Sequence, residues 1–307
     1  MSLPVDNASA AAVSGEWQRW FEQQREWVDA AISTHLNELK FHPQPHSRLP
    51  AAVEYSLTQG GKRLRPVLVL ESCRVCGGPS ERALPAAIAV ECVHTFSLIH
   101  DDLPALDDDE LRRGRPTSHK VFGEAMALLA GDWLLAHAFA VLSADGIDGQ
   151  LAADWVRMLS AGALGMVVGQ GADIAGEGRP ADAELVEFIH LHKTARLLET
   201  CCRMGARAAD APAETLELLG RFGRCLGQAF QVVDDLLDRT GSTARLGKRA
   251  GKDADVSKQT YPAVFGVEES RLRARQLVES AVQALEPLGP RAERLHNLAQ
   301  FVIMRDR

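Results

Sequence analysis

Apolar residues recur along this chain with the period of a helix. Near the start, Trp17, Trp20, Phe21, Trp27, Val28 and Ile32 fall at intervals of three, four and seven. Long segments rich in Ala, Leu, Glu and Arg follow, and these are good helix formers. No run of alternating β-branched residues bounded by turn signals appears. The spacing therefore predicts an all-α protein. Breaks fall at Gly60-Gly61, at Gly77 to Ser80, at Asp145 to Gly149, at Gly176 to Pro180 and at Ala211-Pro212. The longest polar loop runs from Gly241 to about Asp255. Residues 1–14 are small and polar and are expected to be disordered, while 15–307 reads as one helical bundle. Two stretches, 84–99 and 125–142, are apolar nearly all round and are predicted to lie in the middle of the bundle. Asp132 and His137 inside the second make a buried helix the better reading than a membrane span.

Composition narrows the function. The 307 residues carry 46% hydrophobic and 24% charged side chains, as an ordinary globular chain does. The formal charge of −7 argues against non-specific nucleic-acid binding, which needs a net basic face. Cys73 and Cys76 form C-x-x-C, but no second pair completes a zinc site, so a structural role is expected. No signal peptide opens the chain, and a reduced, cytoplasmic setting is the expectation.

The chemistry sits in two acidic motifs. Asp101, Asp102, Asp107, Asp108 and Asp109 follow an apolar helix with almost no break. Carboxylates this close raise one another's pKa unless a cation neutralises them. Hard oxygen ligands suit Mg²⁺, which usually binds one or two carboxylates together with substrate phosphates. The cluster thus reads as half a site, with a phosphate-bearing ligand as the other half. Arg112 and Arg113 directly behind fit phosphate clamping, or serve as partners of the aspartates in a solvated loop. His94 lies seven residues before Asp101, on the same helix face, as a ligand or as a satisfied core histidine. The second motif, Q-x-x-D-D-x-x-D, places Gln231, Asp234 and Asp238 on one face of an apolar helix. Two carboxylate clusters 133 positions apart suit one cavity with metal on two walls.

Cationic elements accompany them. Gly60-Gly61-Lys62-Arg63-Leu64-Arg65-Pro66 joins glycines to three cations without P-loop spacing. Lys193-Thr194 lies in a helix-like stretch, and Lys248, Lys252 and Lys258 punctuate the long loop, as a diphosphate-covering segment or a solvated one.

With GGKRLRP at 60–66, DDLPALDDDELRRG at 101–114, HKT at 192–194, QVVDDLLD at 231–238 and GKDADVSKQTYP at 251–262, the chain resembles the trans-isoprenyl diphosphate synthases. Within them it is most similar to the bacterial farnesyl diphosphate synthases. The resemblance covers nearly the whole chain and makes 15–307 a polyprenyl synthetase domain. It implies the isoprenoid synthase fold around a deep central cavity, and a homodimer. It implies Mg²⁺, three per site with Mn²⁺ able to substitute, on Asp101, Asp107 and Asp234, with Asp102, Asp235 and Asp238 supporting. Allylic diphosphate would meet Arg112, Lys193, Thr194, Gln231, Lys258 and Lys248, the last being a less secure match because Lys252 is near. Isopentenyl diphosphate would meet Lys62, Arg65, His94 and Arg113. Phe96 and Ser97 would form part of the floor that stops the growing chain, and an aromatic at that position implies fifteen carbons, with twenty the alternative. Helical periodicity alone puts Phe96 well away from the Asp101 face. A class I terpene cyclase would carry a different second motif. A non-catalytic subunit would lack one acidic motif or the arginines. A plain cation-binding helical protein would bind metal without diphosphate.

Overall fold

The computed structural model describes residues 7–39, 47–240 and 258–304. The first helix, α1 (Asn7–Glu38), begins inside the stretch expected to be disordered. Ala8, Ala10, Ala11 and Ala12 account for the difference, since alanine is the easiest residue to place in a helix. Next come α2 (Leu49–Leu57) and α3 (Leu64–Val75). A 3₁₀ turn at Ser80–Ala83 leads into α4 (Leu84–Asp101). A break at Gly123 divides α5 (Ser118–Phe122) from α6 (Glu124–Leu142). Then follow α7 (Gly149–Gly176) and α8 (Ala183–Ile189), which runs through a π-helical segment at His190–Ala195 into α9 (Arg196–Ala208). The chain continues with α10 (Ala213–Thr240), α11 (Tyr261–Phe265) and α12 (Val267–Leu285). A 3₁₀ stretch at Glu286–Ala292 precedes α13 (Glu293–Met304).

Among the described residues one small ribbon interrupts the helices. β1 (Leu111–Arg112) pairs antiparallel with β2 (Arg115–Pro116). Arg113 and Gly114 between them both take positive φ, 54° and 76°. Two such residues make the tight hairpin turn that matches strand twist.

The core runs through the middle of the bundle. α4 packs on α3, α6 and α9, and Ala86, Ala89, Val90, Cys92 and Val93 along it are buried. α10 lies along α9 and α12, with Leu219, Phe222, Leu226 and Ala229 buried. α4 therefore occupies the central place that its composition predicts.

α6 does not. Leu128 and Leu129 on it are exposed, and so are Leu164, Val167, Val168 and Ile174 on α7. By length and composition alone, α4 with its 3₁₀ lead-in, α6 and α7 would each suffice to cross a membrane. The apolar face of α6 points outward because α4 already fills the centre and covers only one side of α6.

Cys73 and Cys76 are free thiols at the end of α3. Burial pushes both up to about 11, which keeps them protonated and poorly nucleophilic. The Cys73 thiol bonds to the Pro79 carbonyl at 3.4 Å, in keeping with a structural role.

Candidate active site

The first acidic motif is built where α4 stops. Pro104 cannot continue a helix, and the chain folds back on itself. The Asp107 amide donates to the Asp101 carbonyl at 2.9 Å, and the Asp108 amide to the Leu103 carbonyl at 3.1 Å. This turn sets Asp107 beside Asp101. Burial pushes the Asp101 carboxyl up to about 6; Lys193 opposes the shift and Asp107 adds to it. Asp102 is buried and differently engaged. The Arg112 guanidinium donates to its Oδ1 through Nη2 at 2.5 Å and Nε at 3.0 Å, and stands 3.4 Å from Asp109.

The basic elements flank this wall. Arg113, aimed by the hairpin turn, lies against Gly61 and donates to the Gly60 carbonyl. A side chain at Gly61 would strike that guanidinium, and its φ of 132° already favours glycine. Lys62 is exposed, with its ammonium 5.4 Å from the centre of the Phe230 ring. Arg65, half-buried, has an Nε with no hydrogen-bond partner. His94 feels burial first and then Arg65 and Arg113, which together hold it well below the usual histidine range. The imidazole is therefore neutral at pH 7 in the free protein. The four side chains expected for isopentenyl diphosphate are thus gathered from three segments.

The opposite wall comes from α7, the π segment and α10. A π turn carries an extra residue and is common at functional sites. Gly169 of α7 lets the backbone of Lys193 approach so closely that any Cβ there would overlap it. Lys193 then reaches Asp173 at 2.6 Å. The Thr194 hydroxyl donates to the Gln231 side-chain carbonyl at 2.8 Å, and the Gln231 amide donates to Asp235 at 3.1 Å. Asp235 also accepts from His190 at 3.0 Å and from the Tyr261 backbone at 2.9 Å. It is thereby an anchor for the chain returning toward α11. Asp238 is buried, and its Oδ1 has no hydrogen-bond partner.

Lys258 crosses from this wall to the first motif, with its ammonium 3.0 Å from Asp107. Its neighbour Gln259 is pinned. The Gln259 amide donates to the carbonyls of Gly176, Arg179 and Pro180, and its oxygen accepts from the Asp182 amide at 2.9 Å. Lys248, Lys252 and the loop around them lie outside the described residues.

Sequence reasoning missed Asp173 and Gln259. Asp173 had a signal, being the one charged residue in the apolar stretch 161–176. Gln259 had none, since its partners lie about eighty positions away.

Phe96 is buried and packs edge-on against the His100 ring at 4.9 Å. His100 in turn meets the Leu128 carbonyl of α6 at 3.0 Å. Ser97 is half-buried and its hydroxyl donates back to the His94 carbonyl. A small cleft opens on the flank of α4, lined by Thr95, Leu98, Ile99 and Asp102 together with Arg112 and Arg113.

Among the described residues, no three His, Cys, Asp or Glu side chains converge as a self-sufficient metal cage. The donor set nonetheless fits Mg²⁺ that is shared with a phosphate ligand. Asp101 is held up by burial, and Asp238 has an orphaned oxygen. Both gain from a cation.

A chain with this all-α fold and these facing acidic and basic walls is a prenyltransferase of the isoprenoid synthase fold. The family model described as polyprenyl synthetase matches residues 46–288, and the chain belongs to that family. It is 43% identical over 291 residues to a dimethylallyltranstransferase of Fischerella ambigua, covering 93% of this chain and 83% of that one. It is 47% identical over 287 residues to a chloroplastic geranylgeranyl pyrophosphate synthase of Capsicum annuum, covering 91% and 78%. Among solved structures, a Helicobacter pylori geranyltransferase complexed with magnesium and isoprenyl diphosphate superposes with a TM-score of 0.79 at 30% identity, covering 99% of this chain and 98% of that one.

Proposed function

We propose that this protein condenses isopentenyl diphosphate with an allylic diphosphate, dimethylallyl or geranyl, and releases diphosphate. One observation carries the reading. Lys258 of the second wall reaches Asp107 of the first motif, which brings a cation of one wall within 3.0 Å of an acid of the other. A diphosphate leaving between the two walls would meet that cation. Mg²⁺, three per site with Mn²⁺ able to substitute, would be held by Asp101, Asp107 and Asp234, with Asp102, Asp235 and Asp238 behind them. It would supply Lewis-acid stabilisation of the departing diphosphate.

The chain's own groups divide the remaining work. Lys193, Thr194, Gln231, Lys258 and Arg112 orient the allylic diphosphate. Lys62, Arg65, His94 and Arg113 hold the acceptor. Buried apolar side chains of α4, Val93, Phe96 and Ile99 among them, would keep water from the reacting carbon, which would otherwise be captured as an alcohol.

Product length has two readings. Fifteen carbons rests on Phe96, which is buried and packs edge-on against His100. Twenty carbons rests on the Capsicum relative, a geranylgeranyl synthase at 47% identity, and has at least equal support.

The reading includes a homodimer in the cytoplasm. The outward apolar residues of α6 and α7, Leu128, Leu129, Leu164, Val167 and Val168, support a second copy as the cover for that face.

Purified protein incubated with Mg²⁺, isopentenyl diphosphate and each allylic primer tests the proposal, with products sized by chromatography. Elongated prenyl diphosphates are expected. No elongation from any primer overturns the reading.

A further inference from the structure

Arg63 stands between two cations assigned to the acceptor diphosphate, yet it turns away from them. Its guanidinium is buried, at 3% exposure. Nε donates to Asp29 of α1 at 2.7 Å, Nη1 to Glu91 of α4 at 2.5 Å, and Nη2 to the Leu57 carbonyl at the end of α2 at 2.7 Å. One planar fork thus bolts three helices to the start of α3. The backbone at Arg63 is left-handed, with φ 49° and ψ 29°, a conformation side chains rarely adopt without outside restraint. The three bonds of the fork supply that restraint, and their Glu91 partner is only 2% exposed.

Glu91 does more than hold Arg63. It lies three residues before His94, almost one turn along the same helix. Its charge also acts on Arg65 and on Arg113. One buried carboxylate thus pairs with Arg63 and lends its field to Arg65 and Arg113, two members of the acceptor set. Arg113 in turn leans on Gly60 and Gly61, directly before Lys62.

Building on the proposed activity, we infer that Glu91 and Arg63 are a positioning pair for the isopentenyl diphosphate site. They lock the turn at 60–63 that leads into α3, so that Lys62 and Arg65 meet one anion, and Arg63 itself is not a phosphate ligand. Of the allylic set, Lys193, Thr194 and Gln231 stand on the π segment and α10, away from this lock, and only Arg112 shares the hairpin with Arg113.

The sign of one measurement separates positioning from plain charge. Removing a carboxylate near a diphosphate site strengthens the positive field there and, acting alone, lowers KM for the anion. Losing the lock misplaces two ligands and raises it. Glu91→Gln is therefore expected to raise KM for isopentenyl diphosphate about tenfold or more, leaving KM for geranyl diphosphate within about threefold and kcat largely retained. Arg63→Lys keeps the charge but loses the three-way fork, and is expected to behave as Glu91→Gln does.

Asp29→Asn, at the half-exposed end of the same network, is expected to shift KM in the same direction by less. It keeps the test open if the buried variants do not fold. Titration calorimetry with isopentenyl diphosphate alone provides a readout apart from turnover, and weaker binding in each variant is expected. An unchanged or lowered KM for isopentenyl diphosphate, or an equal rise for both substrates, overturns the inference. Wild-type protein that neither elongates nor binds isopentenyl diphosphate overturns the proposed function and this inference together. Wild-type activity with an unmoved variant overturns the inference alone.

Discussion

Lys258 places its ammonium 3.0 Å from the carboxylate of Asp107, across 151 positions of sequence. A cation of the second wall thus occupies an acid of the first motif in the free protein. A metal ion held by Asp107 would have to compete with it. Lys258→Ala is expected to bind Mg²⁺ more tightly than wild type without diphosphate, and yet to turn over more slowly. Calorimetry with and without inorganic diphosphate, beside a rate assay, checks both halves. Weaker metal binding without diphosphate would show that the lysine does not guard the acid.

Asp101 and Asp234 stand on different walls and would act on the same leaving group. Asp101→Ala and Asp234→Ala are each expected to cut kcat by about a hundredfold or more, and the double variant by far less than the product of the two. Multiplicative losses in steady-state kinetics would mean that the two motifs work independently.

Phe96 is wedged against His100, which is tied to α6. Phe96→Ala is expected to open the floor and lengthen the product by one or more five-carbon units. Chromatographic sizing decides, and an unchanged product removes Phe96 from the floor.

The outward face of α7 bears Leu164 and Val168, 67% and 53% exposed. A charge there costs a packed interface far more than a solvated surface. Leu164→Asp with Val168→Asp is expected to convert dimers to monomers in light scattering. Wild-type protein that is already monomeric contradicts the homodimer.

His35 of α1 and His137 of α6 touch, with their Nε2 atoms 2.8 Å apart. Burial lowers both, His137 to about 4, helped by His35, while Glu38 partly restores His35. A histidine held down in the fold is neutral there while the unfolded chain protonates near pH 6.5. The pair's stabilisation is complete above that pH and fades as pH falls toward about 4. His137→Gln is expected to flatten this part of the melting-temperature profile. A variant with the wild-type slope excludes the pair as its source.

The histidine pair also shows where sequence reading ends. His137 looked like a polar residue inside an apolar helix, and nothing in the spacing pointed to His35, 102 positions earlier. The acidic motifs were legible because each is local. Asp101 and Asp107 belong to one turn, and Gln231, Asp234 and Asp238 to one helix face, so period and chemistry suffice to group them. Arg63 was misleading for the same reason. In sequence it is one of three alike cations, and only tertiary packing separates it from Lys62 and Arg65.

The sequence by itself determined the helical class, most of the breaks between helices, and the carboxylate and cation sets from which a diphosphate site can be made. These follow from period, turn chemistry and charge, which act over a few residues. Tertiary structure alone decided that Asp235 anchors the returning chain, that Asp173 holds Lys193, that Gln259 pins the chain beside Lys258, and that α6 turns an apolar face outward. Each depends on which buried group meets which partner, and a buried polar atom is stable only when some distant segment completes its bonds.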